Sequence, residues 1–302
     1  MRYNSLNAYL RSRFGKKIYK LAVDGGFTCP NRDGSKGTGG CIFCSESGSG
    51  DFAERGCDIA AQLESAKARI ASKLPDDCGF IAYFQSFTNT YAPVDILREK
   101  FTAAMNAEGV EALSIATRPD CIDEENAALL AELNRTKPVF AELGLQTSNE
   151  KTAEYINRCY PNSDFTKAVT LLRKGGIEVI VHIIIGLPNE TEQDLLRTIK
   201  FVNAHDVQGI KLQLLHILKG TRLAEIGCPT LSLEEYYRLL GLCLEHLRPD
   251  IVIHRLTGDG NKKTLIAPLW SGDKHRVLNG FEQYMTEHDI VQGKRFKKAD
   301  AV

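Results

Sequence analysis

The sequence predicts an α/β fold, a full or partial (β/α) TIM-type barrel, and three observations predict it. From residue 18 onward, short β-branched or aromatic runs alternate with longer segments of helical period. Polar and glycine residues recur just after those runs, where ligands meet both doubly wound sheets and barrels. The first run is followed by Gly25-Gly26-Phe27-Thr28-Cys29-Pro30, which is not the G-x-G-x-x-G of a dinucleotide-binding sheet. Strict alternation implies parallel pairing through right-handed crossovers, and the missing fingerprint favours the barrel.

Taken in order, the candidate strands are Ile18–Val23, Phe80–Phe84, Ala112–Ala116, Val139–Leu143, Val179–Ile185, Ile210–Leu215 and Ile251–Ile253. Between them, Val94, Leu97, Phe101, Ala104 and Met105 share one helical face, and Leu195, Ile199 and Val202 share another. Helix starts are marked by Pro93, by Asp123 ahead of Glu124 and Glu125, and by Ser232 with Glu235 as a capping box. The alternation fades from about Thr257. Residues 1–255 are therefore expected to form the barrel core, with a basic N-terminal arm and a loop at 25–56, and residues 256–302 a C-terminal extension.

The chain has 302 residues, 43% hydrophobic and 25% charged, which excludes a disordered, collagenous or coiled-coil protein. Its 38 Lys and Arg balance 38 Asp and Glu, so any nucleic-acid contact needs a local basic face rather than bulk charge. No apolar run reaches the length of a membrane span, and the N-terminus lacks an apolar signal-peptide core, so no membrane association and a cytoplasmic location are expected.

Of nine cysteines only the first four, Cys29, Cys41, Cys44 and Cys57, are clustered. They fall in or just beyond the loop from Gly25 to Gly56, which has nine glycines in 32 residues and no strand or helix period. The spacing C-x11-C-x2-C ends in a closely spaced pair, which suits a soft metal or an iron–sulfur cluster because thiolates are soft ligands. Gly39 and Gly40, directly ahead of the pair, permit close backbone approach to a bulky group. Two readings stand. Four thiolates can close a structural zinc site, with Cys57 as the fourth ligand, or three can hold a cluster that leaves one iron open. The first histidine is His182, so a local zinc site of three cysteines and one histidine is not available.

These residues resemble the radical S-adenosylmethionine superfamily, most closely the branch of the elongator catalytic subunit and the oxygen-independent coproporphyrinogen oxidases. The resemblance runs from about Ile18 to Ile253 and implies that the α/β fold is a partial (β/α)6-type TIM barrel. It is carried by Cys41-Ile42-Phe43-Cys44, Thr117-Arg118-Pro119-Asp120, Glu142-Leu143-Gly144-Leu145-Gln146, Asn157-Arg158 and His182 through Glu190. It implies that Cys29, Cys41 and Cys44 hold a [4Fe-4S] cluster whose open iron chelates S-adenosyl-L-methionine, cleaved on reduction to a 5′-deoxyadenosyl radical. The spacer of eleven residues departs from the usual C-x3-C-x2-C and is similar to the lengthened loop of the elongator branch; it leaves Arg32, Asp33 and Lys36 without an assigned role.

By the same resemblance, Gln85 and Ser86 stand where the superfamily approaches the methionine amino group, though with no glycine there. Thr117 and Gln146 match positions near the ribose and methionine, and Arg158 an arginine that pairs with the methionine carboxylate. His182 matches a polar position near the ribose, whereas Gly186, Leu187, Pro188 and Leu215 match the adenine-facing wall. Glu142, near the end of an otherwise apolar strand, is expected to face the ligand because an unpaired carboxylate is costly to bury.

The N-terminal twenty residues carry Arg2, Arg11, Arg13, Lys16, Lys17 and Lys20 interleaved with Tyr3, Tyr9, Phe14 and Tyr19, a mix suited to RNA. The C-terminus adds Lys294, Arg295, Lys297 and Lys298. The elongator relative acts on the wobble uridine of tRNA, and close bacterial relatives are implicated in remodelling a side chain on that base. The resemblance therefore implies tRNA as substrate, contacted through Arg255, Lys263, Trp270, Lys274 and His275, and a low-potential electron donor such as flavodoxin or ferredoxin. The elongator subunit's large RNA-binding region and acetyltransferase domain have no counterpart in this sequence, so acetyl transfer is not expected. Alternatives are radical chemistry on a small metabolite and a zinc-stabilised nucleic-acid adaptor.

Overall fold

The computed structural model describes residues 2–297 apart from 49, 51, 52, 57 and 259. The strands are β1 (Lys17–Val23), β2 (Cys78–Phe84), β3 (Val110–Thr117), β4 (Val139–Gln146), β5 (Glu178–Ile185), β6 (Gly209–Leu214), β7 (Ile217–Leu218), β8 (Val252–Arg255) and β9 (Leu265–Ala267). Seven form one parallel sheet in the order β1-β2-β3-β4-β5-β6-β8, curled into a half-barrel, and all seven expected strands are present. The β7 and β9 strands make a separate antiparallel ribbon, which the sequence reading missed because each is too short to show a period.

The helices are α1 (Leu6–Phe14), α2 (Ile59–Ile70), α3 (Val94–Asn106), α4 (Glu124–Asn134), α5 (Glu150–Tyr155), α6 (Asn162–Lys174), α7 (Glu192–Asn203), α8 (Arg222–Ile226), α9 (Leu233–His246) and α10 (Lys274–Glu287). The apolar faces expected around Leu97 and Phe101 in α3, and around Leu195 and Ile199 in α7, are buried in the main core against the outer face of the sheet. Full capping boxes start α4 (Asp123 with Asn126), α7 (Thr191 with Asp194) and α9 (Ser232 with Glu235).

Side chains alternate across each strand, so every second residue points into the half-barrel. At the amino ends of the strands Ile81, Ala112, Phe140 and Ile180 surround Leu10 of α1 and form an apolar base. Burying Leu10 contributes on the order of 2 kcal/mol, and the apolar spacing Leu6, Leu10, Phe14 along one face of α1 is what directs it there. The basic N-terminal arm is thus this helix. Its cations meet carboxylates: Arg13 pairs with Glu178, Lys16 with Glu111 at 2.6 Å, and Arg2 with Asp289 at 3.3 Å. They lie at the opposite end of the barrel from the cysteines.

Within the described residues no ladder joins β1 to β8, so the half-barrel has a seam. It is stitched at the base, where the Ile253 amide donates to the Asn4 carbonyl at 2.7 Å and the Asn4 amide donates to Gln292 Oε1 at 2.9 Å.

Candidate functional site

Above the apolar base, the next inward residues are polar: Lys20, Tyr83, Ser114, Glu142, His182 and Lys211. Glu142 is fully buried and is their hub. Lys20 Nζ donates to its Oε1 at 2.7 Å and Ser114 Oγ donates to the same oxygen at 2.5 Å. His182 Nε2 stands 2.7 Å from Oε2, and Lys211 Nζ donates to Oε2 and to the Tyr83 hydroxyl, the latter at 3.0 Å. Burial pushes the Glu142 carboxyl up, but Lys20, Lys211 and His182 outweigh it and hold the group well below the usual carboxylate range. Burial, reinforced by Lys211, brings His182 down to about 4, so its imidazole is neutral near pH 7.

Above this layer lies a cavity of about 970 Å³, and Cys29, Cys41 and Cys44 all line it. Several bonds hold the cysteine loop to the rim. Asn31 Nδ2 donates to the Asn157 carbonyl at 2.5 Å, and Asn157 Nδ2 donates back to the Gly40 carbonyl at 2.8 Å. The Ile42 amide donates to the Ile156 carbonyl at 3.1 Å, and the Leu223 amide donates to the Ile42 carbonyl at 2.8 Å. Arg32, Asp33 and Lys36 acquire roles here. Arg32 donates to the carbonyls of Cys44 and Ser45 at 3.1 and 2.6 Å, Asp33 caps a turn by accepting from Ser35, and Lys36 pairs with Asp120 at 2.7 Å on the rim after β3. Gly40 has φ of +77°, and a Cβ there would stand 2.9 Å from Arg32 Nε, so the position needs glycine.

Sequence-expected site residues separate into two groups. Gln85, Thr117, Glu142, Gln146, His182 and Leu215 line the same cavity as the cysteines. Arg158 does not. It is 1% exposed, and its guanidinium donates to the carbonyls of Leu145, Thr147 and Tyr160 at 2.8, 2.7 and 3.0 Å, with Glu150 and Asn162 at 3.1 and 3.0 Å. Three of these acceptors are backbone carbonyls and two are the side chains of Glu150 and Asn162, which together engage the whole guanidinium. The resemblance sets Arg158 beside the methionine carboxylate; in this structure it is off the cavity wall and organises the turn that follows β4. Gly186, Leu187 and Pro188 also stand behind the wall rather than on it, Leu187 packing with Ile42 and Leu215 in a small core beneath the cysteine loop. Ser86 is fully buried off the cavity, its hydroxyl without a hydrogen-bond partner among the described residues.

Sequence reasoning missed Lys20, Tyr83, Arg118, Thr88 and Lys211, all of which line the cavity. Lone lysines within apolar strand runs were the available signal for Lys20 and Lys211. Arg118 makes a bidentate pair with Asp120 at 2.9 Å on both arms, which joins the rim to Lys36 and so to the cysteine loop. Trp270 and His275, expected at the substrate, are not on the cavity wall; Trp270 Nε1 donates to the Leu231 carbonyl at 3.0 Å.

Nine Lys or Arg side chains line the cavity, Lys20, Lys211 and Lys263 among them, against one carboxylate among the described residues, Glu142. No three His, Cys, Asp or Glu side chains within the described residues converge on a single metal ion. Zinc coordination would call on Cys57, which lies outside the described residues. Three thiols lining one cavity suit an iron–sulfur cluster, whose irons each take a thiolate. Thr88 also lines the cavity, and its hydroxyl is buried without a hydrogen-bond partner among the described residues. Burial pushes the Cys41 thiol up to about 12, with Cys44 acting in the same direction; a bound metal would reverse this by taking the thiolate.

A curled parallel sheet with three thiols and a deep cavity at the carboxyl ends of its strands defines a half-barrel of the radical S-adenosylmethionine class, a family that implies a [4Fe-4S] cluster. This chain belongs to the Radical SAM superfamily, whose sequence pattern matches residues 32–202, and the pattern of the Radical SAM C-terminal domain matches residues 207–287. It is 46% identical to the YtqA protein of Bacillus subtilis (strain 168) over 99% of this chain and 94% of that one. It is 29% identical over 118 residues, 38% of this chain and 21% of the relative, to the tRNA uridine(34) acetyltransferase of Methanocaldococcus jannaschii. Its fold superposes on Methanocaldococcus infernus Elp3 with a TM-score of 0.69 at 16% identity, covering 92% of this chain and 64% of that one. Within the described residues no helix is long and apolar enough to cross a membrane.

Proposed function

We propose that this radical S-adenosylmethionine enzyme modifies the side chain of a wobble uridine in tRNA. The observation that carries the reading is the basic character of the cavity wall: among the described residues nine Lys or Arg side chains line it against one carboxylate, Glu142, with Asp120 and Glu54 pairing Arg118 and Arg69 from behind, on a chain whose formal net charge is zero. Such a concentration of cations in one concavity favours a polyanion over a neutral metabolite. A limited likeness to the tRNA uridine(34) acetyltransferase supports the same substrate.

In this reading Cys29, Cys41 and Cys44 hold the [4Fe-4S] cluster, and Gln85, Thr117, Gln146 and Leu215 face S-adenosyl-L-methionine. When bound, that pair supplies one-electron cleavage of a carbon–sulfur bond and hence hydrogen-atom abstraction. The chain's own contribution is to position and to seal. Arg118 and Lys36 on Asp120 keep the cysteine loop against the rim. The apolar base around Leu10 shuts the lower end against water, and Glu142 holds Lys20 and Lys211 in place beneath the substrate space. A flavodoxin or ferredoxin serves as electron donor.

The test compares modified tRNA nucleosides from cells with and without the gene. Loss of one wobble-uridine nucleoside, restored by the wild-type gene and not by Cys41→Ser, is expected; an unchanged nucleoside profile refutes the tRNA substrate.

A further inference from the structure

We infer that the lip formed by residues 261–274 is the RNA-docking edge of the cavity, with Leu269 as an apolar wedge for an unpaired base and Lys262 and Lys263 as phosphate contacts. This rests on the tRNA reading above and assigns it a surface. Leu269 is 74% exposed, the most exposed of the large apolar side chains among the described residues. Its neighbours hold it rigidly. Trp270 is anchored to the Leu231 carbonyl and packs on Tyr236 with ring centres 5.6 Å apart, and Ser271 Oγ donates to the Pro268 carbonyl at 2.7 Å. An exposed leucine fixed between buried Pro268 and half-buried Trp270 is a presented surface rather than the end of a loose loop.

Placement ties the leucine to the cavity. Ser271, Gly272 and Lys274, a few residues along, line the cavity that holds the three cysteines, as do Lys262 and Lys263 on the other side of β9. From 255 to 276 the sequence has five Lys or Arg (Arg255, Lys262, Lys263, Lys274, Arg276) and two acids (Asp259, Asp273). A second apolar side chain, Ile266, is 43% exposed on β9 itself. Apolar side chains flanked by cations match the two chemistries of a splayed nucleic-acid loop, base faces and phosphates.

The full chain is titrated with a fluorescent anticodon stem-loop RNA and with a duplex RNA of equal length, at several salt concentrations. Leu269→Ala is expected to weaken stem-loop binding about tenfold, as loss of a base contact does, and to leave duplex binding unchanged. The Lys262→Ala/Lys263→Ala variant is expected to weaken both and to reduce the slope of log K against log salt by about 1.4, two single-strand phosphate contacts. If the unsubstituted chain binds the stem-loop and the variants bind it equally with the same slope, the lip assignment is wrong and the tRNA reading stands. If Leu269→Ala weakens both RNAs alike, the wedge is wrong. If the unsubstituted chain binds neither RNA, both readings fall.

Discussion

Lys211 on β6 reaches across the half-barrel to Glu142 on β4, and both side chains are almost wholly buried, at 4% and 0% exposed. Neither would be tolerated alone. Removing one partner leaves an uncompensated buried charge, so Glu142→Gln is expected to destabilise the fold by about 3–5 kcal/mol. Urea unfolding measures it. Adding Lys211→Met to Glu142→Gln should recover part of that loss, because it removes the stranded cation; a double variant weaker by the full sum of the two single losses would show that the pair is not coupled.

Arg158 separates structural from ligand-binding roles. Arg158→Lys loses several of the donors that now satisfy the carbonyls after β4, and is expected to lower stability by about 2–4 kcal/mol. Affinity of the still-folded fraction for S-adenosyl-L-methionine, measured by calorimetry on anaerobically reconstituted protein, should be unchanged. A large loss of affinity at unchanged stability would restore the carboxylate role to this residue.

The three cavity cysteines are expected to be necessary for iron, and Cys57 dispensable. After anaerobic reconstitution, Cys29→Ala, Cys41→Ala and Cys44→Ala should each retain little iron and sulfide and lose the brown absorbance, whereas Cys57→Ala should keep them. Zinc without sulfide in the unsubstituted protein, released by Cys57→Ala, would replace the cluster by a structural ion.

Glu190 sets a pH dependence of stability. Burial raises its carboxyl from 4.5 to about 7, even though Thr147 donates a hydrogen bond to it. The folded state therefore holds its proton more tightly than the unfolded state does. The favourable contribution is whole below about pH 4.5 and is lost as pH rises to about 7, by on the order of 2–3 kcal/mol. Glu190→Gln cannot ionise, so it should be more stable than wild type at pH 8, with the advantage shrinking toward pH 5. Thermal melts at both pH values check the sign.

Much of the architecture was legible because β-branched and aromatic runs alternate with amphipathic helices, and each such run became a strand of the parallel sheet. The inward polar layer was only half visible. Glu142 and His182 stood out, but their partners Lys20 and Lys211 come from strands far away in sequence, and pairing across a barrel leaves no local trace. Arg158 misled for a related reason: sequence shows that a guanidinium is present and not whether carbonyls have already claimed it. In α1 the charges drew attention toward RNA, while the spacing of Leu6, Leu10 and Phe14 carried the packing.

The stitch between Asn4 and Gln292 spans 288 positions. Synthesis delivers α1 well before β8 and the segment around Gln292 to which it must fasten, so the helix has no completed seat while most of the chain is being made. Closure by such distant contacts is slow relative to local helix and strand formation. The nascent half-barrel is consequently open at its base until late, and a chaperone or an iron–sulfur carrier acting on it would meet an exposed hydrophobic floor that the finished protein no longer presents.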